Sequence, residues 1–448
     1  MHISLDSALG RQRRLNQIEE TITSIAAPAA AYSLRSLTGG DPLAVRVRRS
    51  SNDASAEKDF TVSEINSGAL LSHINEDVIT EQSDFTSGVD SYARDTHGTV
   101  SREASFEGKS DVLKYAFAST GRFGIDKSSV ALDRTSSYTI TFEYYADTAY
   151  NGKFWGVESS FASRVSASNT PAVVSDAWTS ATLNVPSGRT TGITSLHIRL
   201  QDGTNDTVGL TGIIANVRFK NIVVTQTTGS GFVTIWYDQS GNDRHAVQNT
   251  DAQQPIIVES GTFQDGLKFT HADTTNGKRL SFDRDTSQLG TEFALVWVGF
   301  YTGSSGTMKN ILGATRGVQG YNSGSVSITA TPSSNQFSFV NEQSGSARQI
   351  LNATQTLAAD TLGVVFASYD DDAVLISVNG NSNTSTFSST VLTNTRDFNI
   401  MSATSTGGTY RTLESAPGTC SEVIVYDTNQ VNNRTSIETN IINHYSIS

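Results

Sequence analysis

Along most of the chain apolar and polar residues alternate with a period of two, in short runs closed by Gly, Asn, Asp, Ser or Pro. That pattern predicts strands with one solvated face. In the first half the runs fall at 112–118, 138–145, 153–157, 181–185, 195–200 and 217–225. In the second half they fall at 232–237, 293–301, 326–331, 336–341, 362–369, 373–379, 397–403 and 422–426. Asn379-Gly380 directly after one run predicts a tight hairpin. No unit of 20–50 residues recurs, so a solenoid is not expected.

The period shifts to that of a helix only at the two ends. In 7–26, Leu15, Ile18, Ile22 and Ile25 fall on one stripe, with Arg13, Arg14, Glu19 and Glu20 off it, and Pro28 stops the run. Two readings stand: a helix packed on its own domain, or a short docking or coiled-coil helix that needs partner chains. The second is favoured, because the stripe precedes the β region and an Ala-Pro-Ala spacer follows it. The closing stretch 432–445, with Ile437, Ile441 and Ile442, predicts one amphipathic helix.

The expected fold class is all-β, with two β-sandwich domains of jelly-roll or concanavalin-like form, one inserted in the other. Its parts are an N-terminal helix at 1–28, a sandwich at 31–78 and 229–448, and an inserted sandwich at 85–227. Residues 79–99 are polar and acidic and read as a linker. With 448 residues, one core would be too large, which agrees with this division.

Composition narrows the function. Apolar residues make up 37% and charged residues 17%, neither a disordered nor a helical profile. The net charge of −12 disfavours phosphate backbones and anionic headgroups, so no nucleic-acid partner is expected. No run of 18 apolar residues exists, so no membrane insertion by a helix is expected either. The N-terminus lacks the basic and apolar regions of a signal peptide. Cys420 is the only cysteine, which rules out an intrachain disulfide and Cys₄ or Cys₂His₂ metal sites. A virion protein, made in the host cytoplasm and released by lysis, fits these absences.

Two blocks carry a resemblance. One is Ala31-Tyr32-Ser33-Leu34-Arg35 with Val45-Arg46-Val47-Arg48-Arg49-Ser50-Ser51; the other runs from Gly231 through Trp236, Tyr237, Asp238, Gln239, Ser240, Gly241 and Asn242 to His245-Ala246 and Gln248. Together they resemble the N-terminal half of the catalytic domain of family-54 α-L-arabinofuranosidases, a concanavalin-like sandwich. With Ser7-Ala8-Leu9-Gly10-Arg11-Gln12 ahead of them, they are also similar to bacteriophage structural proteins. The end of the chain is similar to the last strand and helix of laminin-G-like lectin folds. The inserted segment resembles a carbohydrate-binding module. The likeness implies a virion structural protein, a capsid decoration or tail appendage exposed on the particle. Its expected partners are other virion proteins and a host-surface glycan. It is expected to form a homo-oligomer; a trimer is common among such appendages, but Leu15–Ile25 is too short to specify the number of strands. A glycoside hydrolase of arabinofuranosidase type and a soluble carbohydrate-binding protein are the alternatives.

Hydrolysis with retention needs two carboxylates about 5 Å apart. At the positions matching the enzyme family, 401–405 and 324–329, this chain has no acid, and 308–315 has no Cys-Cys pair. No catalytic residue is therefore assigned and the chain is expected not to be an enzyme. Trp236–Asn242 reads as a structural corner, in which Asp238, Ser240 and Asn242 bond local backbone and Gly241 takes a positive φ. A direct ligand role for Asp238 or His245 is the less favoured reading. Candidate sugar-stacking rings are Tyr144, Tyr145, Tyr150, Trp155 and Trp178. Adjacent Tyr144 and Tyr145 must face opposite ways, and Phe142 and Trp155 also suit a core. No cofactor is expected. Ca²⁺ is compatible with Asp370-Asp371-Asp372 and with Asp202–Asp206, although both also read as turns. Asp283 and Asp285 read as local partners of Arg284, and Glu422 as a buried acid in a strand. No histidine spacing suits a metal.

Overall fold

The computed structural model describes residues 21–50, 57–76, 78–94, 98–117, 124–132, 136–160, 163–165, 171–186, 193–201, 215–271, 277–282, 289–302, 308–314, 325–342, 349–387, 398–403 and 415–448. The described chain is predominantly antiparallel β-structure with four short helices, an all-β fold as the alternation predicts.

One sheet system joins strands from both ends of the sequence. In its first path Asn381–Thr386, Ala373–Val378, Gly363–Asp370, Glu292–Tyr301 and Gly418–Tyr426 pair in that order. Gly418–Tyr426 then pairs with both Ala30–Ser33 and Thr262–Phe269. In its second path Gln349–Thr356, Gln336–Glu342, Ser325–Thr331, Lys309–Ala314, Phe398–Ile400 and Leu280–Phe282 follow one another. The two paths enclose a core that contains Trp236, Trp297, Phe337 and Phe339. Asn379 (φ 48) and Gly380 (φ 85) form the two-residue hairpin loop that their sequence predicts.

Inside the first path Glu292–Tyr301 and Gly418–Tyr426 are buried on both faces, and their residues are mostly apolar. The outer face is covered by helices. Ile437 and Ile441 of Arg434–Tyr445 pack there with Ile22, Leu37, Val296, Phe366 and Ile424. The short helix Ile22–Ile25 therefore docks on its own chain, with Ile25 packed against the same cluster. This corrects the expectation that Ile22 and Ile25 serve oligomerisation: once the closing helix supplies an apolar partner face, the stripe is satisfied within the chain. Leu15 and Ile18 lie outside the described residues.

Burial on both faces makes the one charge in Gly418–Tyr426 costly unless paired. Glu422 is fully buried and accepts from Arg35 at 2.7 and 3.0 Å. Its Oε2 also accepts from the hydroxyls of Ser33 (3.0 Å) and Tyr445 (3.2 Å).

Strands between 78 and 228 form two sheets of their own. The five-stranded sheet runs Ser163–Val165, Phe154–Ser160, Ile193–Gln201, Gly124–Leu132, Tyr92–Arg94. The six-stranded sheet runs Thr179–Val185, Ser137–Ala146, Asn216–Thr228, Lys109–Phe117, Gly98–Phe106, and Val78–Ser83 pairs with Asn216–Thr228. Val78–Ser83 and Tyr92–Arg94 lie in the stretch read as a linker, which is corrected here. Both are edge strands; Ile79 is exposed, and Tyr92–Arg94 is only three residues long with Tyr92 as its one core residue, so neither is long enough in apolar alternation to mark a strand. Only Gly229 and Ser230 separate Asn216–Thr228 from Gly231–Trp236. A side chain at Gly229 would meet the Ile74 carbonyl at 2.6 Å. Gln226 donates to the hydroxyls of Ser50 and Ser136 across this junction.

Replacing Arg35 by Ala should lower the stability of this sheet system by about 3–5 kcal/mol, because Glu422 is left buried and unpaired. The double replacement Arg35→Met with Glu422→Leu should be close to neutral. Urea unfolding followed by tryptophan fluorescence separates the two outcomes, and equal losses would refute the pairing argument.

Candidate functional site

The Trp236–Asn242 motif is built as a corner. The Asp238 carboxylate accepts four hydrogen bonds, from Ala31 N (2.8 Å), Ser240 N (2.9 Å), Ser240 Oγ (2.7 Å) and Arg244 N (3.0 Å). Gln239 accepts from Leu37 N and donates to the carbonyls of Ser33 and Arg35. Asn242 donates to the carbonyls of Pro28 and Ala29, and Gly241 takes φ +89°. Trp236 is core, and Tyr237 donates to Asp59 at 2.6 Å. That bond and burial push the Tyr237 phenol up to about 12, burial being the larger cause. His245 Nδ1 accepts from Asp238 N at 3.2 Å. The side chains of Asp238, Gln239 and Asn242 are thus occupied in holding Ala30–Ser33 and the residues beside it.

The five candidate rings separate by strand parity. Tyr144, Tyr150 and Trp155 are buried in the core of the inserted sandwich, where Trp155 meets Phe142 at 5.0 Å, Tyr144 at 4.9 Å and Phe219 at 5.5 Å. Their polar atoms are turned to the protein: Tyr144 Oη accepts from Val174 N and Tyr150 Oη donates to the Ala215 carbonyl. These three are corrected to core positions, since the inward face of Ser137–Ala146 carries Phe142, Tyr144 and Ala146. Tyr145 takes the opposite face and is half-buried there beside Trp178.

A third ring completes the group. The hairpin of Gly98–Phe106 and Lys109–Phe117 turns on Glu107 (φ 46) and Gly108 (φ 77) and delivers Phe106 to the same face. Phe106 lies 5.0 Å from Tyr145 and 6.5 Å from Trp178, and Tyr145 lies 6.0 Å from Trp178, all edge-to-face. The sequence signal for Phe106 is a single apolar residue at the end of a polar strand, next to a turn-forming Glu-Gly pair. The pattern reading passed over it because that strand lacks an apolar alternation.

Charged side chains brace the rings. The Arg218 guanidinium sits 3.6 Å over Phe106 and pairs with Glu103 (2.9 Å) and Asp147 (3.2 Å). Lys114 pairs with Glu103 at 3.0 Å. Lys109 lies 6.0 Å over Trp178 and pairs with Glu143 at 2.6 Å, and Glu143 also accepts from Asn221 at 2.7 Å. The Lys109 bond outweighs burial and holds the Glu143 carboxyl below its usual range. At Glu103 burial acts upward, but the bonds from Lys114 and Arg218 together lower it. The Trp178 indole N–H has no hydrogen-bond partner.

The acidic candidates give no metal centre among the described residues. Asp370 Oδ2 accepts from Asn429 at 2.6 Å, and Asp371 (φ 54) forms a hairpin tip. Asp202–Asp206, Asp283 and Asp285 lie outside the described residues. Met401, Ser402 and Ala403 are buried, as are Ile311 and Leu312 in Lys309–Ala314.

No family model matches the chain, and no curated protein does. Among solved structures it is similar to the carbohydrate-binding module CBM40 of Ruminococcus gnavus IT-sialidase bound to α2,6-sialyllactose (12% identity, TM-score 0.30, 35% of this chain and 85% of that chain). It is also similar to Trypanosoma rangeli sialidase in complex with 2,3-difluoro-KDN (14%, TM-score 0.33, 48% and 32%). A third is the CBM22-1 xylan-binding domain of Paenibacillus barcinonensis Xyn10C (12%, TM-score 0.26, 34% and 96%). At such distances these likenesses assign no ligand to this chain.

Trp155→Ala should cost about 3–5 kcal/mol through the cavity it leaves, whereas Trp178→Ala should change stability by less than about 1 kcal/mol. Differential scanning calorimetry would reveal the contrast, and a similar loss in both would place Trp178 in the core. Asp238→Ala should cost about 3 kcal/mol, because buried donors of the corner lose a charged acceptor. Proteolysis near residues 28–35 should accelerate in that variant.

Proposed function

We propose that this chain is a non-catalytic glycan-binding protein, and that its inserted sandwich takes a sugar against Tyr145 and Trp178. The observation that carries this reading is the group of three aromatic rings held outside the core, on a sheet face, by ion-paired side chains. Large rings kept partly in solvent are a costly arrangement unless they meet a partner, and sugar rings present C–H faces that suit them. Bracing by Arg218 and Lys109 fixes the rings before contact, which reduces the entropy lost on binding.

Within this reading the chain is a structural component of a bacteriophage particle, and glycan contact is its adhesive property. The N-terminal block and the acidic composition support that assignment. A hydrolytic role is disfavoured by the lack of an acid at the positions matching the enzyme family.

Binding to an array of immobilised glycans, followed by titration calorimetry on a positive glycan, is the direct test. Tyr145→Ala and Trp178→Ala should each weaken affinity about tenfold, corresponding to roughly 1.4 kcal/mol, with thermal stability retained. Unchanged affinity in both variants would remove the platform from the account. Chromogenic arabinosides should remain intact over long incubation. Mass spectrometry of purified phage particles should detect the chain, and its absence from them would end the virion assignment.

A further inference from the structure

We propose that the ring platform selects uncharged sugars and rejects carboxylated ones such as sialic or uronic acids, an inference that rests on the glycan-binding reading. A carboxylated sugar is ordinarily held by a free cation that offers charge-assisted hydrogen bonds. The cations placed over the rings, Arg218 and Lys109, are already neutralised. Arg218 is bound by Glu103 and Asp147, Lys114 by Glu103, and Lys109 by Glu143. Lys220, the register partner of Glu143, donates to the Ser110 carbonyl at 2.6 Å.

The acids are in excess. Among the described residues, Glu107 at the hairpin turn and Asp176 ahead of Trp178 form no ion pair, and the Asp176 carboxylate accepts only from the Thr148 hydroxyl, at 2.6 Å. Their effect reaches the platform: after burial, the charges of Asp176, Glu107 and Asp147 are what raise the Tyr145 phenol, against the opposing effect of Arg218. A second carboxylate brought to Tyr145 and Trp178 would meet like charge without compensation. The hydroxyls of a neutral sugar meet the reverse situation, since the free oxygens of Glu107 and Asp176 accept hydrogen bonds from them. The ligand class that fits is therefore a neutral hexose or pentose chain.

The experiment uses the full chain against matched pairs on one array: galactosides with and without a terminal sialic acid, and oligogalactose against oligogalacturonate. Positive pairs are then titrated at low and high salt. At low salt the neutral member should bind about tenfold tighter than its acidic counterpart, with the gap closing as salt screens the carboxylates. Glu107→Gln with Asp176→Asn should narrow the gap at low salt, because the amides no longer repel a carboxylate. Equal or tighter binding of the acidic member, abolished by Trp178→Ala, would overturn the selectivity and leave glycan binding at the platform intact. Acidic-glycan binding that survives Trp178→Ala would place the sugar site elsewhere and overturn both. Binding of no glycan at all would defeat both as well.

Discussion

The doubly buried strand Gly418–Tyr426 is the constraint on which the larger sandwich depends. It pairs with Glu292–Tyr301 along one edge and with Ala30–Ser33 and Thr262–Phe269 along the other, so three distant parts of the sequence meet on it. A strand in that position must be apolar on both faces, and it is, apart from Glu422 and a few small hydroxyls. The carboxylate is tolerated because Arg35 and Ser33 reach it from the first strand region and Tyr445 reaches it from the closing helix. One buried charge thus brings the two ends of the folded chain to a single point. Register follows from it: a shift of one residue in Gly418–Tyr426 would separate Glu422 from Arg35 and leave a carboxylate buried away from its cation.

The Trp236–Asn242 corner belongs to the same arrangement. Asp238 and Gln239 anchor Ala31 and Leu37, on either side of the segment that carries Ser33 and Arg35. The corner and the buried pair therefore fix the same segment, Ala31 to Leu37, from two sides. In a motif long enough to look like a binding signature, Asp238, Gln239 and Asn242 bond to backbone groups, which is why these side chains are so specific in kind.

Much of this architecture is legible in the sequence. The runs at 138–145 and 217–225 lie within Ser137–Ala146 and Asn216–Thr228, and the final helix at 432–445 is observed as Arg434–Tyr445. What escaped was whatever lacked a buried face. Val78–Ser83 looks like a linker because it is an edge strand, and the hairpin carrying Phe106 looks polar because most of its side chains face solvent. The five candidate rings show how far parity alone can go. It dictates that Tyr144 and Tyr145 part company, but only the register with Thr179–Val185 shows that Tyr145 joins Trp178 outside. For Ile22 the stripe was real and its partner misjudged, because the apolar face that receives it lies more than 400 residues further along the chain.

The charges around the rings also bear on what chemistry the platform can support. A sugar-cleaving pair requires one carboxylic acid that keeps its proton near neutral pH, which needs burial without a cationic neighbour. Glu103 and Glu143 are in the opposite situation, each ion-paired and each held below the ordinary carboxylate range. Carboxylates paired in this way hold side chains still. Arg218 shows the consequence, since a guanidinium gripped by two carboxylates over the face of Phe106 cannot swing away to follow a reacting group. The same ion pairs give the rings their rigidity, and a rigid surface loses less entropy when a partner meets it.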